Sequence, residues 1–120
     1  MKRISRSSGS AFVAIAVLTG VFLAGTSRAD DVDAAKLWTK NCQTCHGPDG
    51  KGKTKAGEKA KVKDLTSAEV KGKLTKAKAA EDIKNGIKEE GSDKMAMKAY
   101  GDKLSAAEID ALSAYVLTLK

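Results

Sequence analysis

The sequence between residues 42 and 47 reads CQTCHG, and it contains both cysteines and the only histidine of the 120-residue chain. Cys42 and Cys45 are three positions apart, and His46 follows directly. These counts exclude a scaffold of several disulfides and a zinc site with four cysteine or histidine ligands. They also exclude a histidine-based triad with a cysteine nucleophile and a separate orienting base.

The spacing C-x-x-C-H is the attachment signature of c-type haem. Two thiols three residues apart can each bond one vinyl-derived carbon of a single porphyrin as thioethers. The adjacent His46 then lies under the iron and can offer it an imidazole nitrogen. The motif therefore predicts that Cys42 and Cys45 bind the haem and that His46 is a metal ligand.

Three other sites use the same residue types. A thiol/disulfide site of thioredoxin type would follow a strand in a βαβ unit, whereas here a helix is predicted before Cys42 and GPDG follows His46. A structural disulfide between Cys42 and Cys45 is the second alternative. The third is a zinc site, for which the sequence offers no credible fourth ligand. The sequence favours haem attachment over all three.

Residues 1–29 have the layout of a secretory signal peptide. A basic start precedes an apolar stretch, residues 11–25, that is too short for a comfortable membrane span. Ser27 and Ala29 place small residues at the two positions that a signal peptidase reads. We therefore predict cleavage after Ala29, export to the periplasm and a mature domain of residues 30–120. A retained N-terminal anchor is the alternative.

The predicted mature domain has few large side chains with which to build a core. Its aromatic residues are Trp38, Tyr100 and Tyr115 only. Domains this small often need a disulfide, a metal or a large cofactor for stability, so a cofactor at the centre is consistent with this composition. The domain contains no arginine for bidentate contacts to bases and no basic reading helix, which argues against nucleic acid as a partner.

The hydrophobic pattern predicts an all-α fold with four short helices and no strand. The first helix covers residues 33–42, and a short second helix begins at Thr66 or Ser67. The third covers residues 79–90, with Gly91 as its stop. The last begins with the capping box SAAE at Ser105, and its apolar stripe consists of Ile109, Leu112, Val116 and Leu119. The long connections make sense if they wrap a ligand.

Residues 33–120 resemble class I cytochrome c, the small soluble bacterial cytochromes with one haem. The resemblance rests on CQTCHG with an aromatic residue, Trp38, four positions before the first cysteine. It also rests on IKNGI at 83–87, on MKAY at 97–100 before a Leu-Ser pair, and on an amphipathic last helix. It implies about four short helices wrapped around one covalently bound haem c.

The resemblance also implies a second axial ligand. The mature chain has only Met95 and Met97, and a thioether is a soft ligand that favours ferrous iron. The family places its ligand before a small residue, an aromatic residue and the Leu-Ser pair, a register that Met97 fits. Met95, or an iron without a methionine ligand, is the alternative. Many members have proline after the methionine, whereas this chain has Lys98.

We also predict the positions of several other side chains. The resemblance predicts that Trp38 and Tyr115 meet where the first and last helices cross. Tyr100 is either a packing residue or a hydrogen-bond donor to a haem propionate. We expect four aliphatic residues to line the haem pocket or the core: Ile83, Ile87, Leu65 and Leu104.

The resemblance implies a soluble, exported electron carrier with His/Met ligation, a monomer that does not stay in the membrane after cleavage. Its implied partners are a membrane quinol-oxidising complex and a terminal oxidase or periplasmic reductase. Because no substrate-binding group or acid–base pair is visible, we do not predict an enzyme. A haem sensor with a labile sixth site and a haem-free thiol protein are the alternatives.

Residues 51–78 form a strongly basic zone, with ten lysines against three acidic residues. Positive charge near an exposed haem edge would steer the protein toward acidic redox partners. The alternative is a solvated face that keeps the protein in solution.

Overall fold

The computed structural model describes residues 32–120, and the predicted signal peptide at residues 1–29 lies outside this range. The described part contains six helices and two short strands. In chain order they are α1 (Ala34–Asn41), α2 (Gln43–His46), α3 (Lys55–Lys59), α4 (Ala68–Lys73), α5 (Lys76–Asn85), β1 (Ile87–Lys88), β2 (Met95–Met97) and α6 (Ala106–Thr118). None of the helices between residues 32 and 120 is both long enough and apolar enough to span a bilayer.

Three helices begin where the sequence predicts, because a capping side chain precedes each. Asp33 accepts a hydrogen bond from the backbone of Lys36 at the start of α1. Ser67 starts α4 in the same way. Ser105 starts α6 with both hydrogen bonds of a capping box, since the Glu108 carboxylate accepts from the Ser105 N–H.

The predicted bounds of the third helix are wrong at both ends. The helix over 79–90 is α5, which begins at Lys76 because the Thr75 side chain accepts from the backbone N–H of Lys78. It ends at Gly86, which has a φ of +73°, and not at Gly91. A left-handed residue cannot continue an α-helix, so the first glycine in that conformation terminates it.

The expectation of no strand is also wrong, because β1 and β2 form an antiparallel hairpin. Ile87 lies opposite Met97, and Lys88 lies opposite Met95. The pairing therefore advances one residue along β1 and two along β2, so that Ala96 is the extra residue of a bulge. Strands of two and three residues are too short to show an alternating pattern in the sequence.

The core lies where α1 and α5 pack against α6. Its buried members are Trp38, Ile83, Leu104, Ile109, Leu112, Val116 and Leu119. The rings of Trp38 and Tyr115 meet with centroids 5.7 Å apart, as predicted for the crossing of the first and last helices. Leu65 packs against this core, but Ile87 is 42% exposed and is not part of it.

The chain after His46 folds back onto the residues that precede it. The Gly52 N–H donates to the His46 carbonyl at 2.8 Å. The α3 helix approaches so closely that a Cβ atom added to Gly57 would lie 2.2 Å from the Cys45 carbonyl oxygen. Only glycine fits at this contact, and it lets α3 pack directly on the backbone of α2.

We expect Gly57→Ala to lower the free energy of unfolding by about 1–3 kcal/mol, since the new methyl group forces two backbone segments apart. The matched control is Gly72→Ala in α4, where an added Cβ has no neighbour within 4 Å. This control should raise stability by about 0.5–1 kcal/mol, because alanine is the better helix former. Urea unfolding followed by far-UV circular dichroism measures both changes. Equal midpoints for the two variants would contradict the close approach.

Candidate functional site

The cysteines and the histidine lie on one short stretch of helical backbone, which we call the attachment segment (residues 42–46). Helix α1 ends one residue before it, and the Cys42 N–H donates to the Trp38 carbonyl at 2.8 Å. Cys42 and Cys45 are both half-buried and form no disulfide with each other. Burial, with a smaller contribution from Cys45, raises the pKa of the Cys42 thiol to about 11. Before haem attachment, Cys42 is therefore a protonated thiol at neutral pH.

His46 is held in a partly buried position beside Trp38. The two rings have centroids 5.6 Å apart, and the Trp38 Nε1–H donates to the Gly47 carbonyl at 3.1 Å. Burial lowers the pKa of His46 and so favours the neutral imidazole, the form that ligates metals. Its Nδ1 atom is buried and has no hydrogen-bond partner among residues 32–120.

The two methionines of β2 have different surroundings. Met97 is partly buried and packs against the core, as Cys42 does. Met95 is 39% exposed, and its Cε methyl lies over Gly86. The fold therefore brings Met97 and Cys42 to the same hydrophobic cluster and leaves Met95 at the surface.

Tyr100 makes a contact that nothing in the sequence indicates. Its hydroxyl donates to the Asn41 carbonyl at 2.9 Å, and the ring packs against the core. Burial raises the pKa of the Tyr100 hydroxyl, and Cys42 and Cys45 add to this effect. Tyr100 thus packs against the core as one of the two expectations has it, and in this structure its hydroxyl proton goes to a backbone carbonyl of α1.

The basic zone at residues 51–78 divides into two groups of lysines. The last four lie on α4 and α5, where their ammonium groups have partners: Lys73 with Glu69, Lys76 with Asp110, Lys78 with Asp82, and Lys71 with the Leu119 carbonyl.

The first six lie on what we call the lysine loop (residues 51–63), and none of them forms a salt bridge with any residue that the structure describes. The loop packs on the attachment segment, where Thr54 Oγ1 donates to the Thr44 and Cys45 carbonyls at 2.8 and 3.0 Å. The loop carries six lysines and one acidic residue, so positive charge without salt-bridge partners is concentrated beside the attachment segment.

The cytochrome c family model matches residues 32–120. The chain belongs to the cytochrome c family. The protein is accordingly an electron carrier with a covalently bound haem c and its iron. The resemblance that rests on CQTCHG, MKAY and the last helix is thus confirmed.

Individual relatives agree with this assignment. Cytochrome c6 from Nostoc sp. (strain PCC 7120 / SAG 25.82 / UTEX 2576) is 32% identical over 103 residues, which cover 86% of this chain and 83% of that protein. The solved structure of the KustC0563 c-type cytochrome is similar, with a TM-score of 0.63 at 32% identity over 74% of this chain and 99% of that one. The structure of a mutant of that cytochrome has a TM-score of 0.61 at the same identity, with coverage of 74% and 100%. These neighbours confirm the small all-α cytochrome c fold.

The donor groups of the site fit a haem c. Two half-buried cysteines three residues apart suit two links to one porphyrin, and a neutral imidazole suits an iron ligand. A soft thioether from Met97 on the same cluster as Cys42 suits a sixth ligand.

Proposed function

We propose that this cytochrome c is an exported, soluble, monomeric carrier of single electrons whose haem is bound through Cys42 and Cys45 and ligated by His46 and Met97. The observation that supports this most is the anchored attachment segment, in which Trp38 and the lysine loop hold the backbone on both sides of the histidine. The haem supplies a couple between ferric and ferrous iron when bound.

The protein groups have separate tasks in this proposal. Cys42 and Cys45 hold the haem as thioethers, which keeps it in place in either oxidation state. The Trp38 ring lies beside the His46 imidazole, and the hydrogen bond from the Gly52 N–H fixes the His46 backbone. The Met97 thioether stabilises the ferrous state and so raises the reduction potential. We assign no catalytic residue, since the proposed task is electron transfer without a bound substrate.

Export follows from the predicted signal peptide, residues 1–29, and places the carrier in the periplasm. Its partners there would be a membrane quinol-oxidising complex as donor and a terminal oxidase or periplasmic reductase as acceptor. Covalent haem attachment fits this location, because in bacteria it takes place outside the cytoplasm. Cleavage of the signal peptide and attachment of the haem both change the mass of the natively produced protein.

The intact mass of natively produced protein tests export and attachment together. We expect the mass of residues 30–120 plus one haem, with a pigment that acidified acetone does not extract. The double variant Cys42→Ala/Cys45→Ala should lose the pigment, whereas each single variant should keep one thioether link. A mass without haem, or one that includes residues 1–29, would contradict the attachment or the cleavage respectively.

The methionines provide a matched pair for the sixth ligand. Met97→Ala should abolish the near-infrared absorption that an iron–sulfur bond gives the ferric protein. It should also lower the reduction potential by on the order of 100 mV, because axial ligands set much of that potential. Met95→Ala removes the same side chain from an exposed position and should leave both properties unchanged. The reverse pattern would assign the bond to Met95.

We further propose that the lysine loop is the docking surface for acidic partners. Its six lysines outnumber its one acidic residue and form no salt bridge in the described chain, although Asp64 lies within Coulombic range of Lys51 and Lys53. The loop also packs on the segment that holds the haem. Attraction of this kind raises association rates at low ionic strength and is screened by salt. The lysines of α4 and α5 are compensated and should contribute much less.

The triple variant Lys53→Gln/Lys55→Gln/Lys59→Gln tests this surface. At low ionic strength we expect it to lower the rate constant of electron transfer to the anion hexacyanoferrate(III) by about three- to tenfold. Stopped-flow absorbance gives the rate constant. At about 0.5 M salt the difference should vanish, because the Debye length falls to a few ångströms.

The control is Lys73→Gln/Lys76→Gln/Lys78→Gln, which removes the same charge from paired lysines. It should change the rate constant less than twofold. Equal effects from the two triple variants would mean that net charge alone matters and that the loop is only a solvated face.

A further inference from the structure

Tyr100 joins two distant parts of the fold. Its backbone is fixed to the end of α5, because its N–H donates to the Ile83 carbonyl at 2.9 Å. Its own carbonyl accepts from the Leu104 N–H at 2.9 Å. Its hydroxyl reaches the end of α1, where it donates to the Asn41 carbonyl at 2.9 Å. One residue thus connects α5 to the start of the attachment segment.

The Asn41 carbonyl depends on the Tyr100 hydroxyl for its hydrogen bond. Asn41 is the last residue of α1, and carbonyl groups in the last turn of a helix lack partners within it. In a continuous helix the Cys45 N–H would donate to Asn41, but here it donates to the Cys42 carbonyl at 3.2 Å. Within the described chain the Asn41 carbonyl has the Tyr100 hydroxyl as its hydrogen-bond donor.

Met97 lies three residues before Tyr100. The hydrogen bond from Tyr100 to Asn41 is therefore close in sequence to the segment that carries Met97. Met97 itself is paired with Ile87 in the hairpin, and Met95 before it is paired with Lys88. On the C-terminal side of Met97 the Lys98 and Ala99 side chains are exposed and the Ala99 backbone lies against Gly86, so the first side chain that packs on the core is that of the partly buried Tyr100. The Tyr100 hydroxyl therefore joins the end of the Met97 segment to the residue that precedes the attachment segment.

We propose that Tyr100 is a positioning residue for the sixth iron ligand. Its hydrogen bond to Asn41 holds the Met97 segment against α1 and makes the Met97 sulfur harder to displace from the iron. The inference rests on the ligation by Met97 proposed above. Phenylalanine would fill the same space, but it would leave a half-buried carbonyl without a donor and release this tie.

The test is the affinity of the ferric protein for added imidazole, which competes with Met97 for the iron. Tyr100→Phe should lower the dissociation constant for imidazole by about three- to tenfold, the equivalent of one lost hydrogen bond. Loss of the near-infrared iron–sulfur absorption during the titration gives the constant. The control is Tyr115→Phe, which removes a hydroxyl that makes no hydrogen bond with residues 32–120 and should change the constant less than twofold.

Urea unfolding of both variants separates positioning from general stability. If Tyr100→Phe lowers the urea midpoint while the imidazole constant stays within twofold of wild type, the hydroxyl only stabilises the fold and the inference is overturned. If the wild-type ferric protein shows no iron–sulfur absorption, the proposed ligation itself is wrong, and the inference fails with it. The second result is seen before any variant is made, so the two failures are distinguishable.

Discussion

Three successive carbonyl groups, those of Thr44, Cys45 and His46, accept hydrogen bonds from one short return of the chain between Gly52 and Thr54. Helix α2 has only four residues, so without these donors its last carbonyls would have no partners. The return of the chain supplies them and also packs Gly57 on the same backbone. These contacts fix the attachment segment and the chain that follows it to each other.

The parts of the fold that the sequence predicts well are those with strong local signals. The last helix has a capping box and an apolar stripe, and it forms where expected. The C-x-x-C-H motif is equally local, since its chemistry depends on spacing alone. The bounds of α5 were harder to predict, because they depend on which of two glycines adopts a positive φ, and both Gly86 and Gly91 do so in the structure. The earlier one ends the helix.

Other features are set by contacts between distant residues and leave no local trace. The hydrogen bond from Tyr100 to Asn41 spans 59 positions and involves a backbone acceptor, so no residue pattern reports it. The bulge in β2 is similar. In a regular strand Met95 and Met97 would project to the same face, but the extra residue Ala96 breaks this relation. The two methionines therefore differ in burial, and the register of the family motif favours the one that the fold buries.

Lysines without salt bridges are concentrated in the lysine loop, which has six lysines and one acidic residue, whereas residues 79–120 have six lysines and eight acidic residues. This uneven charge gives the described chain an electric dipole. Such a molecule rotates in an external field before any contact is made. On an electrode coated with carboxylate groups, it would adsorb with its cysteine-bearing side toward the electrode surface. All molecules of the protein film would then have the same orientation.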